Sequence, residues 1–428
     1  MSKNSKLKLH TLFGLLALTI GYPNGGTVFI LVMMPYLMFM VFKNNAVFLP
    51  ALILHCATGT SAVTIIFFSF IVLSILKYKD LVRLKLASLF WILIALLPVF
   101  LWLTWQRISV VGDYPPIAFA HIGYYLSFFA FFYGVLVAKT FTRQTLMIMY
   151  YTLFVVFVLY IINAINFTRI VVAFTFLFIA ALPIFFNFRN RNYLLQTISI
   201  FSLVSLLTGS EESTFTMLFV SLLGFTITFL YLKNKTGVIL KMTGIIPFVL
   251  IFALYGYGIS NYMNSVIADV PEGIDLTSWS SFSDRLLFKL FADRAPYWAG
   301  GFQQIVLYQP IFPIVDMPDI NATYQSGREV EISFGSHTTF IELIRKYGII
   351  PGGLLSYCLI YIVIISRKVF QIKNLDKYIV PFFSMTFSCT IVLSLTGTFH
   401  LLTGYSLLSM GVLGIAYYYS ATNYPNRL

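Results

Sequence analysis

Three arginines, one histidine and one tryptophan have the residue types from which a phosphate-handling site can be built: Arg169, Arg285, Arg294, His337 and Trp298. A guanidinium stays charged at physiological pH and offers a planar fork of donors that matches phosphate oxygens. Converging on a diphosphate, such groups would stabilise it as a leaving group. An imidazole titrates near neutrality and can take the proton from an attacking hydroxyl. An indole can stack on a sugar ring. Glu211 and Glu212 add two adjacent carboxylates at the edge of an apolar run. Each residue also has a plainer role. The arginines could be headgroup or salt-bridge residues, with Arg169 an interfacial anchor. His337 could neighbour a helix cap, and Glu211–Glu212 could be a solvated turn. His55, His121 and His400 lie in apolar runs, at their edges or in a short turn, and read as packing or interfacial residues.

Four of these candidates fall in one polar segment, Gly258–Lys346, which holds 10 of the 15 acidic residues but only 6 of the 28 Lys and Arg. The rest of the chain is different in kind. Of 428 residues, 59% are hydrophobic and 10% charged, against about 25% charged in a soluble domain. Mean hydropathy is +0.87. Apolar runs recur at the length that crosses a bilayer, and in hydrocarbon such runs must be helical to satisfy their backbone groups. The net charge of +13 would suggest nucleic acid in a soluble protein. Here Lys and Arg gather at the ends of apolar runs, the distribution of a membrane protein. The basic start Met1–Lys8 reads as a cytoplasmic tail, with no signal-peptide cleavage site after it. Cys56, Cys358 and Cys389 lie in apolar runs, and there is no C-x-x-C, H-E-x-x-H or glycine-rich phosphate loop.

The runs that must position the candidates are Leu9–Gly21, Thr27–Phe42, Ala46–Ala57, Ser61–Lys77, Leu86–Gln106, Ile117–Ala138, Thr145–Asn163, Ile170–Asn187, Tyr193–Leu207, Phe215–Leu232 and Val238–Tyr257, then Tyr347–Ile365, Ile379–Leu395 and Leu401–Tyr419. Every second turn is basic (Lys77–Lys85, Lys139–Arg143, Arg189–Arg191, Lys233–Lys241, Arg367–Lys377), and those between are neutral or acidic. With both termini inside, the long segment, Arg169 and Glu211–Glu212 all face outward. The expected fold is all-α: a polytopic membrane bundle of about 14 spans, or about 12 if one N-terminal hairpin does not cross. Its parts are an N-terminal bundle over 1–257, an external loop over 258–346 and C-terminal spans over 347–428.

Inside the loop, 260–280 reads as irregular. Leu286, Leu287, Leu290 and Phe291 share a helical face. Asp293 can cap a helix that tolerates Pro296 in its first turn and ends at Pro310, with Arg294, Trp298 and Ile305 on roughly one face. Thr339-Phe340-Ile341-Glu342 has the form of a capping box, with Ser336 a competing cap. The loop is thus expected to lay short amphipathic helices over the bundle.

The run Asp293-Arg294-Ala295-Pro296-Tyr297-Trp298, then Gly301, Pro310, Ser336-His337-Thr338-Thr339-Phe340 and Tyr347-Gly348-Ile349-Ile350-Pro351-Gly352 resembles the O-antigen polymerase and O-antigen ligase superfamily. The layout of many spans before the loop and a few after it is also similar. The resemblance implies a metal- and cofactor-independent glycosyltransferase of the bacterial inner (cytoplasmic) membrane, handling an undecaprenyl-diphosphate-linked glycan on the outer face. Arg294 would contact the diphosphate and His337 would activate the acceptor, with Arg285, Trp298, Arg169, Glu211 and Glu212 in the substrate site. Two activities share this layout: polymerisation of O-antigen or capsule repeat units, and ligation of the finished glycan to lipid A-core in lipopolysaccharide synthesis. A chain-length regulator and a flippase are the partners it implies. This sequence departs from the family at Thr338, where Asn is common, and at Ser210-Glu211-Glu212, where Ser-Arg-Gly is common. A third reading, from another class, is a lipid-linked oligosaccharide flippase. Such a transporter would need no long loop and would carry more charge within its spans.

Overall fold

A computed structural model of the chain describes residues 9–14, 27–43, 45–56, 60–112, 122–123, 125–161, 181, 183–184, 213–264, 295–315, 321–323, 329–331, 338–396 and 403–422. These residues are predominantly helical. The first elements are α1 (Thr27–Phe42), α2 (Leu49–Cys56), α3 (Thr60–Leu76), the short α4 (Tyr78–Arg83), α5 (Ala87–Gln106), α6 (Phe129–Val137) and α7 (Arg143–Ile161). After these come α8 (Ser213–Leu232), α9 (Thr236–Met242), α10 (Ile245–Asn264) and α11 (Ala295–Tyr308). An antiparallel pair, β1 (Asn321–Thr323) and β2 (Glu329–Glu331), precedes α12 (Thr339–Tyr347), α13 (Ile349–Ser366), α14 (Val380–Thr396) and α15 (Thr403–Thr422).

Among the described residues, three helical stretches are long and apolar enough to cross a membrane: Ala87–Val111, Thr236–Ser260 and Ile349–Gln371. They are not amphipathic in the way of a soluble helix. On α5, Leu89, Phe90, Leu93, Leu96 and Phe100 enter the core, while Trp91, Leu101, Trp102 and Trp105 stand exposed on other faces. On α10, Ile245, Ile246, Val249, Leu250 and Phe252 are likewise bare. Apolar surface on this scale marks a face meant for an apolar environment.

In the run Ala46–Ala57, residues Ala46–Phe48 form a 3₁₀ turn capped by the Asn45 side chain, which accepts from the Val47 amide at 3.1 Å. Leu49–Cys56 is α-helical and rises about 12 Å at 1.5 Å per residue; Ala57 lies outside the described residues. Leu49, Ala51, Leu52 and Leu54 are buried.

The core is built on close helix crossings. α6 lies against α15, where a Cβ on Gly134 would overlap the carbonyl of Gly411 and one on Gly414 would overlap that of Phe131. Small residues let backbones approach where helices have no hydrophobic drive to associate beyond what lipid already offers. α8 packs on α14 and α10 on α11. The expected span Val238–Tyr257 is two pieces, broken at Thr243–Gly244. There Arg367 reaches over Gly244 and donates to the Leu240 carbonyl at 2.6 Å, satisfying an acceptor at the end of α9.

Polar contacts between turns sort into two ends. At one, Arg143 meets Asp376 at 3.8 Å, Tyr150 donates to Tyr378 O and Tyr231 to Ile372 O, Thr140 Oγ1 accepts from the Ala46 amide, and Tyr417 donates to Leu84 O. These turns carry the basic residues. At the other end, Arg107 meets Val315, Thr338 meets Tyr255, and Pro310 meets Ile349.

Candidate functional site at the loop end

Arg169, Glu211, Glu212, Arg285, Arg294 and His337 lie outside the described residues, as do His121 and His400. Of the seven site candidates the structure therefore places Trp298, together with the framework that follows Arg294 and His337 in the chain. That framework is α11, which begins one residue after Arg294, and Thr338 with α12, which begin one residue after His337.

α11 has Pro296 in its first turn, as the sequence predicts, where no intrahelical partner for its missing N–H is needed; the expected cap, Asp293, lies outside the described residues. It stops at Tyr308; Gln309 turns with φ +41° and Pro310 follows. Ile305 packs against the core. Trp298 is completely enclosed, its ring 5.0 Å from that of Tyr255 at an interplanar angle of 60°. Its indole N–H has no acceptor among the described residues.

α12 differs from the expected capping box. The helix begins at Thr339, so Thr338 holds the cap position in an extended conformation, and its side chain makes no cap hydrogen bond. The Thr338 hydroxyl instead donates to the Tyr255 hydroxyl, which in turn donates to the Ser394 carbonyl at 2.6 Å. Nor does Glu342 reach back to the helix start. Its side chain is 0% exposed, and a buried carboxylate needs counter-charge more than it needs a backbone amide. Arg345 supplies that charge as a fork, Nη2 to Oε1 at 2.8 Å and Nε to Oε2 at 3.0 Å. Its remaining nitrogen, Nη1, donates to Gln304 Oε1 of α11 at 3.2 Å. Lys346 Nζ lies 3.2 Å from the same carboxylate, with 21% of its side chain accessible.

The surroundings are firmly tied. Phe340 packs on Phe248 and Phe252 of α10. Gly348 turns α12 into α13 at φ +87°, ψ 165°, a conformation open essentially to glycine alone. There Ile349 N donates to Pro310 O at 2.6 Å and Ile350 N to Ile311 O at 3.2 Å. A Cβ on Gly352 would overlap the Leu343 carbonyl, so α12 and α13 approach as closely as backbones can. Tyr347 stacks edge-on against Phe100 of α5, 4.7 Å between centroids. Arg107, in the π-turn that extends α5, donates to Val315 O at 3.4 Å. Burial holds the Lys346 ammonium below the ordinary lysine range; Glu342 opposes that shift, while Arg345 and Arg107 add to it.

Two of the expected loop elements are thus helices: α12 is buried along nearly its whole length, whereas α11 buries Trp298, Ala299 and Gln304 and leaves Phe302, Val306, Leu307 and Tyr308 exposed. Trp298, Gln304, Thr338, Phe340, Glu342 and Leu343 are all buried. The proline-rich stretch after Pro310 contains the β1–β2 pair, with Asn321 opposite Glu331. α10 runs on to Asn264, seven residues past the expected end of its span. Tyr255, Gln304, Arg345, Lys346 and Arg107 escaped the sequence reading. For Glu342, Arg345 and Lys346 a signal exists, since i, i+3 and i+4 spacing places them on one helix face. Nothing in the sequence singles out Tyr255. No protein-family model, curated protein or solved structure matches this chain.

Proposed function

We propose that the chain is a polymerase of surface polysaccharide repeat units. The growing glycan would leave undecaprenyl diphosphate and pass to the non-reducing end of another lipid-linked repeat unit, at the outer face of a bacterial inner membrane. One observation carries the reading furthest. Tyr255 holds Thr338, next in the chain to His337, and packs against Trp298, four residues after Arg294 in the sequence. The stretches that follow the two proposed catalytic residues thus share one buried anchor at the loop end. His337 takes the proton of the acceptor hydroxyl as it attacks the anomeric carbon, and Arg294 stabilises the departing diphosphate. Arg285, Arg169, Glu211, Glu212 and Trp298 complete the substrate site; for Trp298 this requires the enclosed indole to be uncovered when the donor binds.

The separation of contacts into a basic end and a loop end supports a two-sided membrane bundle of about 12–14 spans with its termini in the cytoplasm. The external loop argues for an enzyme over a flippase. A chain-length regulator and a flippase would act beside it.

Surface polysaccharide from a deletion strain separates the activities. Core bearing a single repeat unit is the polymerase outcome. Core alone, with polymer accumulating on undecaprenyl diphosphate, would assign the chain as the ligase that acts on lipid A-core. His337→Ala and Arg294→Ala should each abolish polymer at normal protein level; undiminished polymer from either variant removes that residue from the mechanism.

A further inference from the structure

We infer a second binding site, at the basic end of the bundle, for the phosphodiester headgroup of an anionic membrane lipid. It rests on the membrane reading and is independent of the polymerase reading. A cavity of about 180 Å³ opens between α4, the end of α6 and α15. That is room for roughly six waters at ~30 Å³ each, ample for a phosphate and part of its ester.

Arg83 and Lys139 line the cavity from opposite elements, with Asp80 the one acid among its lining residues. Asp80 neutralises little: it stands 3.9 Å from Arg83, whose side chain is 81% exposed, and such surface pairs are weak. Lys79 lies on the same short helix and Lys77 and Lys85 flank it, so the local excess is strongly cationic. The floor is rigid. Tyr417 Oη donates to Leu84 O at 2.6 Å, fixing the chain where Lys85 turns with φ +58°. Tyr418 and Thr422 form the α15 wall.

The neighbouring surface favours a lipid over a free anion. Ile75, Leu76, Val82 and Trp91 are all exposed beside this end. The Trp91 indole donates to Tyr78 Oη at 2.7 Å, an aromatic pair of the kind found at the membrane–water interface. A headgroup in the cavity therefore has apolar protein surface at hand for its acyl chains. Basic pockets between helices on the cytoplasmic side are suited to anionic lipids.

The test is native mass spectrometry of the purified full-length protein, offered phosphatidylglycerol or phosphatidylcholine. The wild type should retain phosphatidylglycerol about tenfold better. Arg83→Gln/Lys139→Gln should erase that preference, and Thr422→Trp, which narrows the mouth but keeps both charges, should reduce it. Lys233→Gln/Lys235→Gln, cations on the same end but outside the cavity, should leave it intact. Equal loss in both double variants would reduce the effect to general surface charge and overturn the site. Displacement of bound lipid by millimolar inorganic phosphate would overturn the lipid assignment and leave a free-phosphate site. All substituted residues are exposed, so the folded protein is available for comparison in every variant.

Discussion

Glu342 is the residue whose removal tests the described framework most sharply. Its carboxylate is fully enclosed and receives the Arg345 fork at 2.8 and 3.0 Å, with Lys346 at 3.2 Å. Removing one partner of a buried ion pair leaves an uncompensated charge, at a cost of about 3–5 kcal/mol. Glu342→Gln keeps an oxygen that Arg345 can use and should fall near the lower figure; Glu342→Ala should approach the upper. Native stability is itself only about 5–15 kcal/mol, so either change is large. Glu342→Leu/Arg345→Met removes both charges and restores apolar packing. Lys346 loses its carboxylate partner as well, and burial then shifts it further toward its neutral form. Among the described residues the double variant also leaves the Gln304 oxygen without Arg345, about 1–3 kcal/mol. Equilibrium unfolding in detergent or bicelles reads the difference. A cost under about 1 kcal/mol for Glu342→Gln, or a double variant no more stable than the single, would refute the buried ion pair as a source of stability.

Two other perturbations address the same region. Burial disfavours the charged form of Lys346 in the folded protein. The unfolded chain then binds the extra proton, and stability should rise with pH from the lowered value up to about 10.5, the ordinary lysine value. Lys346→Met should flatten that rise, and equal slopes in both proteins would refute it. Tyr255→Phe leaves the Thr338 hydroxyl and the Ser394 carbonyl without the tyrosine oxygen, at about 1–3 kcal/mol. Thr338→Val should cost less in the Tyr255→Phe background than alone, because the two share one hydrogen bond; strict additivity of the unfolding free energies would show that they do not.

Much of the helical layout was legible because apolar runs bounded by charge leave the chain few options. α1, α3, α5, α8 and α14 begin and end within a few residues of the runs that announce them. What escaped has a physical cause in each case. The run at Ala46–Ala57 has span-like composition, and its 3₁₀ start at Ala46–Phe48, held by the Asn45 side chain, is not announced by the apolar pattern. The break at Gly244 is set by Arg367, 123 residues away in the sequence, whose guanidinium occupies the space a Cβ would need. Thr339–Glu342 matches a capping box locally, yet Tyr255 from another helix draws the preceding threonine away from the helix start. A local pattern is no guide to a side chain whose strongest partner is distant in sequence.

The same residues separate architecture from chemistry in the proposed reaction. Within the segment on which the proposed function rests, Trp298, Thr338, Phe340, Gly348 and Gly352 each have a packing duty: a ring against Tyr255, a buried hydroxyl, a wedge between Phe248 and Phe252, a glycine-only turn, and a backbone contact no side chain would allow. Substituting any of them would diminish the proposed activity through the fold alone. Gly348→Ala, strained by about 1–3 kcal/mol at its positive φ, is therefore poor support for a catalytic role even if activity vanishes. Arg294 and His337 carry the discriminating experiment, because in the proposal they act on the diphosphate and the acceptor hydroxyl. If it is right, their alanine variants keep the unfolding free energy of the wild type while losing polymer. A parallel loss of both would turn them into further members of the framework and leave the reaction without its base and its phosphate contact.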